Sequence, residues 1–260
     1  MDLAELVTAV QADLPNALIA LDFDGTLAPI VRDPADSRPV AGTLEVLTDL
    51  AGRGARIAIV TGRDALTVLS LSGLESVPGL IVEGLYGAES WRGGALTTPP
   101  TPAAIQALRE RLPAIVAGGV DDRVWIEDKR LSLVVHGRLA DDPEAALDPL
   151  RAPVAAVGAE IGFDVHAGRG VIELRLPGFD KAGALRRLIM QASAKVVLFA
   201  GDDVGDLPAF AVIDELRSAG AAAWAVGVAS PEVPELAGAV DVLVDGPGGV
   251  LQLLERIAGL

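Results

Sequence analysis

Six short runs of this chain, residues 17–22, 56–60, 80–83, 195–200, 223–229 and 240–244, are filled almost without interruption by Val, Ile, Leu and Ala. A strand with one wet face alternates apolar with polar positions. A continuously apolar strand is covered on both faces, as in a parallel sheet flanked by helices. Between the runs, apolar positions recur at helical spacing over residues 42–53, 64–72, 181–193, 206–219 and 248–258, with a further helix at 2–13. Strand and helix in alternation predict an α/β fold built on a doubly wound, Rossmann-like parallel sheet.

The middle of the chain has a different period. After Gly93-Gly94 and the turn-rich stretch 97–102, a helix is expected at 103–116, strands near 122–128 and 131–138, a helix at 143–158, and strands near 162–167 and 170–176. Here apolar and polar residues do alternate. Leu131, Leu133 and Val135 oppose Ser132, His136 and Arg138; Ile172, Leu174 and Leu176 oppose Glu173 and Arg175; Glu127 and Lys129 share a face. Such alternation predicts a sheet with one apolar face and one charged face, hence an inserted α+β domain. The expected division is a core of residues 1–98 and 178–260 around an insert of 99–177. Its charged face suits either solvent or a polyhydroxyl ligand, since carboxylates accept and Lys or Arg donate to hydroxyl groups.

Composition narrows the chemistry. A net charge of −15 argues against nucleic acid and anionic membranes as partners. No stretch has the apolar length of a membrane span, and the first residues are acidic where a signal peptide is basic, so a soluble cytoplasmic protein is expected. There is no Cys and there are only two His, so any metal site must be made of oxygen, which favours Mg²⁺.

The strongest candidate chemistry lies where apolar runs end. Leu18-Ile19-Ala20-Leu21 ends on Asp22-Phe23-Asp24-Gly25-Thr26, two carboxylates that project from one side unless the backbone bends. A solvated turn hinged at Gly25 is the plain alternative. Ile57-Ala58-Ile59-Val60 ends on Thr61-Gly62-Arg63, a hydroxyl, a glycine and a guanidinium at a helix start, able to hold an oxyanion. Lys181 opens a helix, where a cation is unusual: it is either a solvated surface lysine or a partner for a bound phosphate. Val196-Val197-Leu198-Phe199-Ala200 ends on a second carboxylate group, Gly201-Asp202-Asp203-Val204-Gly205-Asp206. In open parallel sheets ligands gather at these carboxyl ends.

Taken in order, Asp-x-Asp-Gly-Thr, Thr61, Lys181 and Gly-Asp-Asp-x-x-Asp resemble the motif set of the haloacid-dehalogenase superfamily of phosphotransferases. That resemblance implies Asp22 as a nucleophile forming an aspartyl-phosphate and Asp24 as general acid, then base. It implies Thr61 and Lys181 as holders of the phosphoryl oxygens, and a Mg²⁺ site of Asp22, Asp24 through its backbone carbonyl, Asp202 and, at its outer edge, Asp206. With Gly84-Leu85-Tyr86-Gly87-Ala88-Glu89, Glu127-Asp128-Lys129, His136-x-Arg138 and Glu173-x-Arg175 added, the wording resembles trehalose-6-phosphate phosphatases. The implied fold is a haloacid-dehalogenase core with an inserted cap. Implied sugar-binding residues are Glu127, Lys129 and Glu173, with Arg63 and Arg138 securing the phosphorylated substrate. A small-molecule sugar phosphate is then the expected partner, acted on by a monomer. Tyr86, Ala182, Gly205 and Leu207 depart from that family's wording, which bears on substrate fit more than on reaction type. A phosphatase for sucrose phosphate or a glycosyl-phosphoglycerate, and a non-catalytic phosphosugar-binding partner of a synthase, are the alternatives.

Overall fold

In the computed structural model, which describes residues 3–31, 33–119, 121–168, 170–229, 236 and 238–260, the run Ala17–Leu21 is strand β1. All of β1 is buried. Preceded by helix α1 (Leu3–Ala12), it is followed by α2 (Thr43–Gly52), β2 (Arg56–Val60), α3 (Ala65–Ser72) and β3 (Ile81–Gly84). The short strands β4 (Glu89–Arg92) and β5 (Ala95–Thr97) come next. After an interruption of about eighty residues, counted from the unit Pro99–Phe179, the same sheet resumes. The resuming elements are α6 (Lys181–Ala192), β10 (Val196–Gly201), α7 (Leu207–Ser218), β11 (Ala222–Val228), β12 (Val242–Val244) and α8 (Gly246–Ala258).

The strand order is β12-β11-β10-β1-β2-β3-β4-β5. Pairing is parallel from β12 through β3, with Leu21 opposite Ala200 on one side and Ile59 on the other. Continuous apolar runs are explained by burial on both faces. Leu18, Ala20, Ala58, Val60, Val197 and Phe199 pack under Leu185 and Leu188 of α6 and Phe210 and Ile213 of α7. Their alternates, Ile19, Leu21, Ile57, Ile59, Leu198 and Val226, pack against Leu6 of α1, Leu47 and Leu50 of α2, and Leu253 and Leu254 of α8.

The sheet is wider than its apolar runs foretell. Beyond β3, strands β4 and β5 add antiparallel, joined by Gly93-Gly94 with both glycines at positive φ. This glycine pair is a hairpin turn within the first unit's sheet. β4 is only four residues long with charges at both ends, and its buried Glu89 and Trp91 alternate with half-buried Ser90 and Arg92. At that length, and with alternate positions half-buried, β4 does not show as an apolar run although it is paired on both sides, by β3 and by the edge strand β5.

Pro99–Phe179 forms the second unit, and Met1–Thr98 with Asp180–Leu260 the first. Within the second, α4 (Ala103–Ala117) precedes β6 (Trp125–Asp128) and β7 (Ser132–His136), and α5 (Pro143–Ile161) precedes β8 (Asp164–Gly168) and β9 (Val171–Arg175). Its sheet is antiparallel in the order β6-β7-β9-β8. Leu133, Val135, Ile172 and Leu174 pack against Ile105, Leu108 and Leu112 of α4 and Leu150 and Val154 of α5. The other face carries the polar set. Strand β7 ends at His136, so Arg138 lies in the turn beyond it and is exposed.

Candidate active site

Strand order places the site. From β1 the chain proceeds to β2 and β3 on one side, then returns with β10 on the other, so β1 and β10 flank the point where the winding reverses. A crevice opens at the carboxyl ends of such a pair. Asp22 follows β1 and Asp202 follows β10, tied by the Asp22 N–H donating to the Ala200 carbonyl at 2.9 Å.

Asp22, Asp202 and Asp206 meet here, each offering an oxygen within 4.8 Å of the others. Lys181, the first residue of α6, reaches into the cluster: its Nζ lies 2.8 Å from Asp22 Oδ1 and 2.6 Å from Asp206 Oδ1. Asp22 continues the parity of Leu18 and Ala20, the face on which α6 packs, which is why nucleophile candidate and ammonium meet. Asp180 caps the helix by accepting from the Gly183 N–H at 2.6 Å, which fixes where Lys181 starts.

Asp206 is fully buried, and its Oδ2 accepts from the N–H groups of Asp202 and Asp203, both at 3.1 Å. With Lys181 on its other oxygen, Asp206 anchors the loop and orients the ammonium. Asp22 and Asp202 retain the oxygen capacity to hold something else.

Electrostatics point the same way. Burial pushes the Asp22 carboxyl well above its usual range against the pull of Lys181, with Asp206 and Asp202 adding to the rise. Burial, then Asp206, raises Asp202 to about 7. Burial also raises Asp206 despite Lys181. Burial opposes the charge on Lys181, but Asp206 and Asp22 outweigh it and hold the ammonium above the ordinary lysine range. Three ionised carboxylates against one ammonium leave a deficit of two positive charges, which protons or one dication can fill. An all-oxygen donor set with that deficit fits a hard divalent cation such as Mg²⁺.

Asp24 is elsewhere. The backbone turns at once after β1, with Leu27 and Ala28 N–H both donating to the Phe23 carbonyl at 2.9 Å. Asp24 consequently leaves the three-carboxylate cluster and is gripped by Arg63, whose Nε and Nη2 donate to its two oxygens at 2.5 and 2.6 Å. Ser37 adds a third donor at 3.0 Å. Nη1 of Arg63 donates to the Pro34 carbonyl at 2.8 Å, so all three guanidinium nitrogens of this expected substrate ligand bind protein. Thr61 is buried, and its Oγ1 accepts from the Arg63 N–H at 3.1 Å, which leaves the hydroxyl proton for an external acceptor.

Gly25 sits at φ +78°, and a Cβ there would collide with the Asp202 carboxylate. Gly25→Ala should therefore lower stability by about 2–3 kcal/mol, combining left-handed strain with displacement of Asp202. Urea unfolding reads the loss.

In the second unit, Lys129 Nζ lies 3.9 Å from Glu127 Oε2 and 3.7 Å from Glu173 Oε1, and Ser132 Oγ donates to Glu173 Oε1 at 3.2 Å. The expected sugar ligands Glu127, Lys129 and Glu173 thus form one cluster; Arg138 lies beyond the end of β7. Sequence reasoning passed over Trp125, whose ring stacks on His136 with centroids 4.2 Å apart and planes 7° from parallel, while His136 Nε2 meets Glu127 at 2.9 Å. Its parity with Glu127, two residues on, was the available signal. Ser37 carried none, because its partner Asp24 is reached only through the loop's fold.

Among the described residues, no helix is long and apolar enough to cross a membrane. A trehalose-phosphatase family model matches residues 20–235. The chain is 31% identical over 278 residues to a trehalose-phosphate phosphatase of Mycobacterium marinum, covering 98% of this chain and 67% of that protein. Of solved structures, a trehalose-6-phosphate phosphatase related protein is similar at TM-score 0.72 and 25% identity, covering 93% of this chain and 97% of that one. The C-terminal domain of the C. albicans trehalose-6-phosphate phosphatase shares the fold at TM-score 0.79 and 21% identity, covering 100% and 97%.

Proposed function

The chain belongs to the trehalose-phosphatase family of phosphatases, and from that premise we propose that it hydrolyses trehalose 6-phosphate to trehalose and phosphate through an aspartyl-phosphate on Asp22. The observation that carries the reading is the Lys181 ammonium bridging Asp22 and Asp206 within a buried cluster of carboxylates at the sheet's reversal point.

A carboxylate attacking an anionic phosphate ester must first have repulsion removed. Lys181 supplies one positive charge beside Asp22, and the Thr61 hydroxyl offers a hydrogen bond to a phosphoryl oxygen. In the proposed reaction an Asp22 oxygen bonds to phosphorus as the bond to the sugar oxygen breaks. To act as the acid that protonates that leaving oxygen, Asp24 must first take up a proton on an oxygen that Arg63 releases. It then takes a proton from the water that cleaves the acyl phosphate, which restores Asp22 and frees inorganic phosphate. Arg63 acts in this scheme through Asp24, holding its carboxylate by a two-point grip. Asp22 and Asp202, with the backbone carbonyl of Asp24, would hold Mg²⁺, and Asp206 would stand behind them. Once bound, the cation supplies the charge neutralisation that Lys181 alone leaves incomplete.

Glu127, Lys129 and Glu173 are the proposed recognition groups for the glucose units, and Arg138 an outlying one for the phosphorylated substrate. Carboxylates accepting and an ammonium donating suit a ring of hydroxyls. Phosphate release should be compared across trehalose 6-phosphate, sucrose phosphate, a glycosyl-phosphoglycerate and sugarless p-nitrophenyl phosphate. Highest kcat/KM on trehalose 6-phosphate supports the assignment; preference for another sugar ends the substrate assignment, and no release from any ends the enzyme reading.

Proton and cation should compete. Asp202 is raised from 3.8 to about 7 on folding, so its contribution to stability is complete below about pH 4 and is lost as pH rises through about 7. The metal-free protein should thus lose stability between about pH 4 and about pH 7, and Mg²⁺ should restore it most fully above that window. A melting-temperature rise of roughly 5 °C at pH 8 and under half of that at pH 6 is expected at saturating Mg²⁺. Calorimetry at both pH values checks it, and equal shifts would count against carboxylate ligation.

A further inference from the structure

Tryptophan stands at three places in the chain, and two of them are interior: Trp91 is 8% exposed and Trp224 6%. Trp125 is 40% exposed, on β6, an outer strand of its four-stranded sheet. Apolar surface on an outer strand invites pairing with other chains, and proteins commonly charge such strands instead. Register sets the face of the ring. Trp125 lies opposite His136, Glu127 opposite Val134, and Val134 opposite Glu173. Opposed residues share a face, as do residues two apart on one strand, so the indole, His136, Glu127 and Glu173 project from the sheet face turned away from α4 and α5. Packing does not call for a ring there, because Val124 and Ile126 of the other parity already supply the apolar contact with the helices.

The indole is nonetheless held. It lies on the buried His136 imidazole with planes 7° from parallel and centroids 4.2 Å apart, and His136 Nε2 is 2.9 Å from Glu127 Oε2. Glu127 Oε2 is 3.9 Å from Lys129 Nζ, which is 3.7 Å from Glu173 Oε1. An unbroken series of contacts thus joins the ring to each residue of the expected sugar cluster. His136 covers one face of the indole, and among the described residues this stack is the ring's one aromatic contact. The exposure of Trp125 therefore belongs to the opposite face and the edges of the ring.

A pyranose has two unlike surfaces, a face of C–H bonds and a rim of hydroxyls. Carboxylates and an ammonium suit the rim. The face needs a flat apolar surface of about its own size, which Glu127, Lys129 and Glu173 do not provide and an indole does. We propose that Trp125 is a substrate-contacting residue, its open indole face stacking on a pyranose ring of the substrate while the neighbouring carboxylates and ammonium take that ring's hydroxyls. This rests on the reading of the Glu127-Lys129-Glu173 cluster as the sugar site. The stack on His136 fixes the plane of the indole before the sugar arrives, so little ordering remains to be done on binding.

Two measurements on the full chain test it. Trp125→Leu should lower the ratio of kcat/KM on the preferred sugar phosphate to kcat/KM on sugarless p-nitrophenyl phosphate by about tenfold, mostly through KM. Trp125→Phe, which keeps a flat ring, should recover most of that loss. In the unsubstituted protein, trehalose without phosphate should shift tryptophan emission to shorter wavelength where equal sorbitol does not, because Trp125 is the exposed ring of the three. The shift should vanish in Trp125→Phe. An unchanged ratio, with both substrates slowed alike or neither slowed, overturns the inference, as does an emission that the sugar leaves unmoved. Absence of turnover by the unsubstituted protein defeats the proposed function instead, and the emission titration still decides the role of Trp125.

Discussion

Asp22→Asn should abolish phosphate release, lowering kcat by about 10⁴-fold or more, while the folded state survives. The amide keeps the carboxylate's shape but has no oxygen able to form the acyl phosphate. Stability should hold or rise, because the substitution removes a carboxyl whose ionised form is disfavoured by burial, with Asp206 and Asp202 adding to the cost. Activity and stability thus move in opposite directions, which a merely structural Asp22 would not produce. The measurement is phosphate release under saturating Mg²⁺ alongside a urea melt. Turnover within tenfold of the unsubstituted protein would remove Asp22 from the nucleophile's role.

Lys181→Met should be the most damaging change to stability within the site. The side chain is buried with both carboxylate partners, and breaking a buried ion pair by deleting one member costs about 3–5 kcal/mol. The loss should depend on pH with a defined sign. Asp22 and Asp206 already titrate above their unfolded values, and without the ammonium they rise further. A raised carboxyl contributes stability below its unfolded pKa and loses it as pH climbs through the folded one. In Mg²⁺-free buffer the deficit should therefore be modest at pH 5 and largest at pH 8. Urea midpoints at both values test this; a deficit independent of pH would mean that lost packing of the lysine stem, and not unpaired charge, is responsible.

Much of this was written in the local pattern. Each parallel strand of the first unit's sheet announces itself as an apolar run because it is covered on both faces, and the site residues stand where the runs stop, at Asp22, Thr61 and Asp202. Alternation in the inserted segment marked the face that carries Glu127 and Glu173. What could not be read depends on contacts remote in the chain. Asp24 and Arg63 were assigned separate tasks from their separate motifs, yet the turn after β1 and the loop after β2 bring them into one ion pair across 39 positions. Asp206 looked like an outer ligand; only the fold shows it accepting two backbone N–H groups and Lys181. β4 and β5 do not stand out in the sequence because they are only four and three residues long and alternate or expose their apolar positions, and the left-handed turn at Leu85-Tyr86 is invisible until φ is known.

The position of β1 in the sheet also sets an order of assembly. Its β2 side can form within the first hundred residues, but its β10 side waits for a strand that begins at Val196, after the whole of Pro99–Phe179. A chain growing from its amino terminus therefore holds an open, apolar β1 edge for most of its synthesis, the kind of edge that recruits foreign strands. During that interval Asp22 has neither Lys181 nor Asp206 beside it. The inserted unit thus delays closure of the sheet and completion of the site alike.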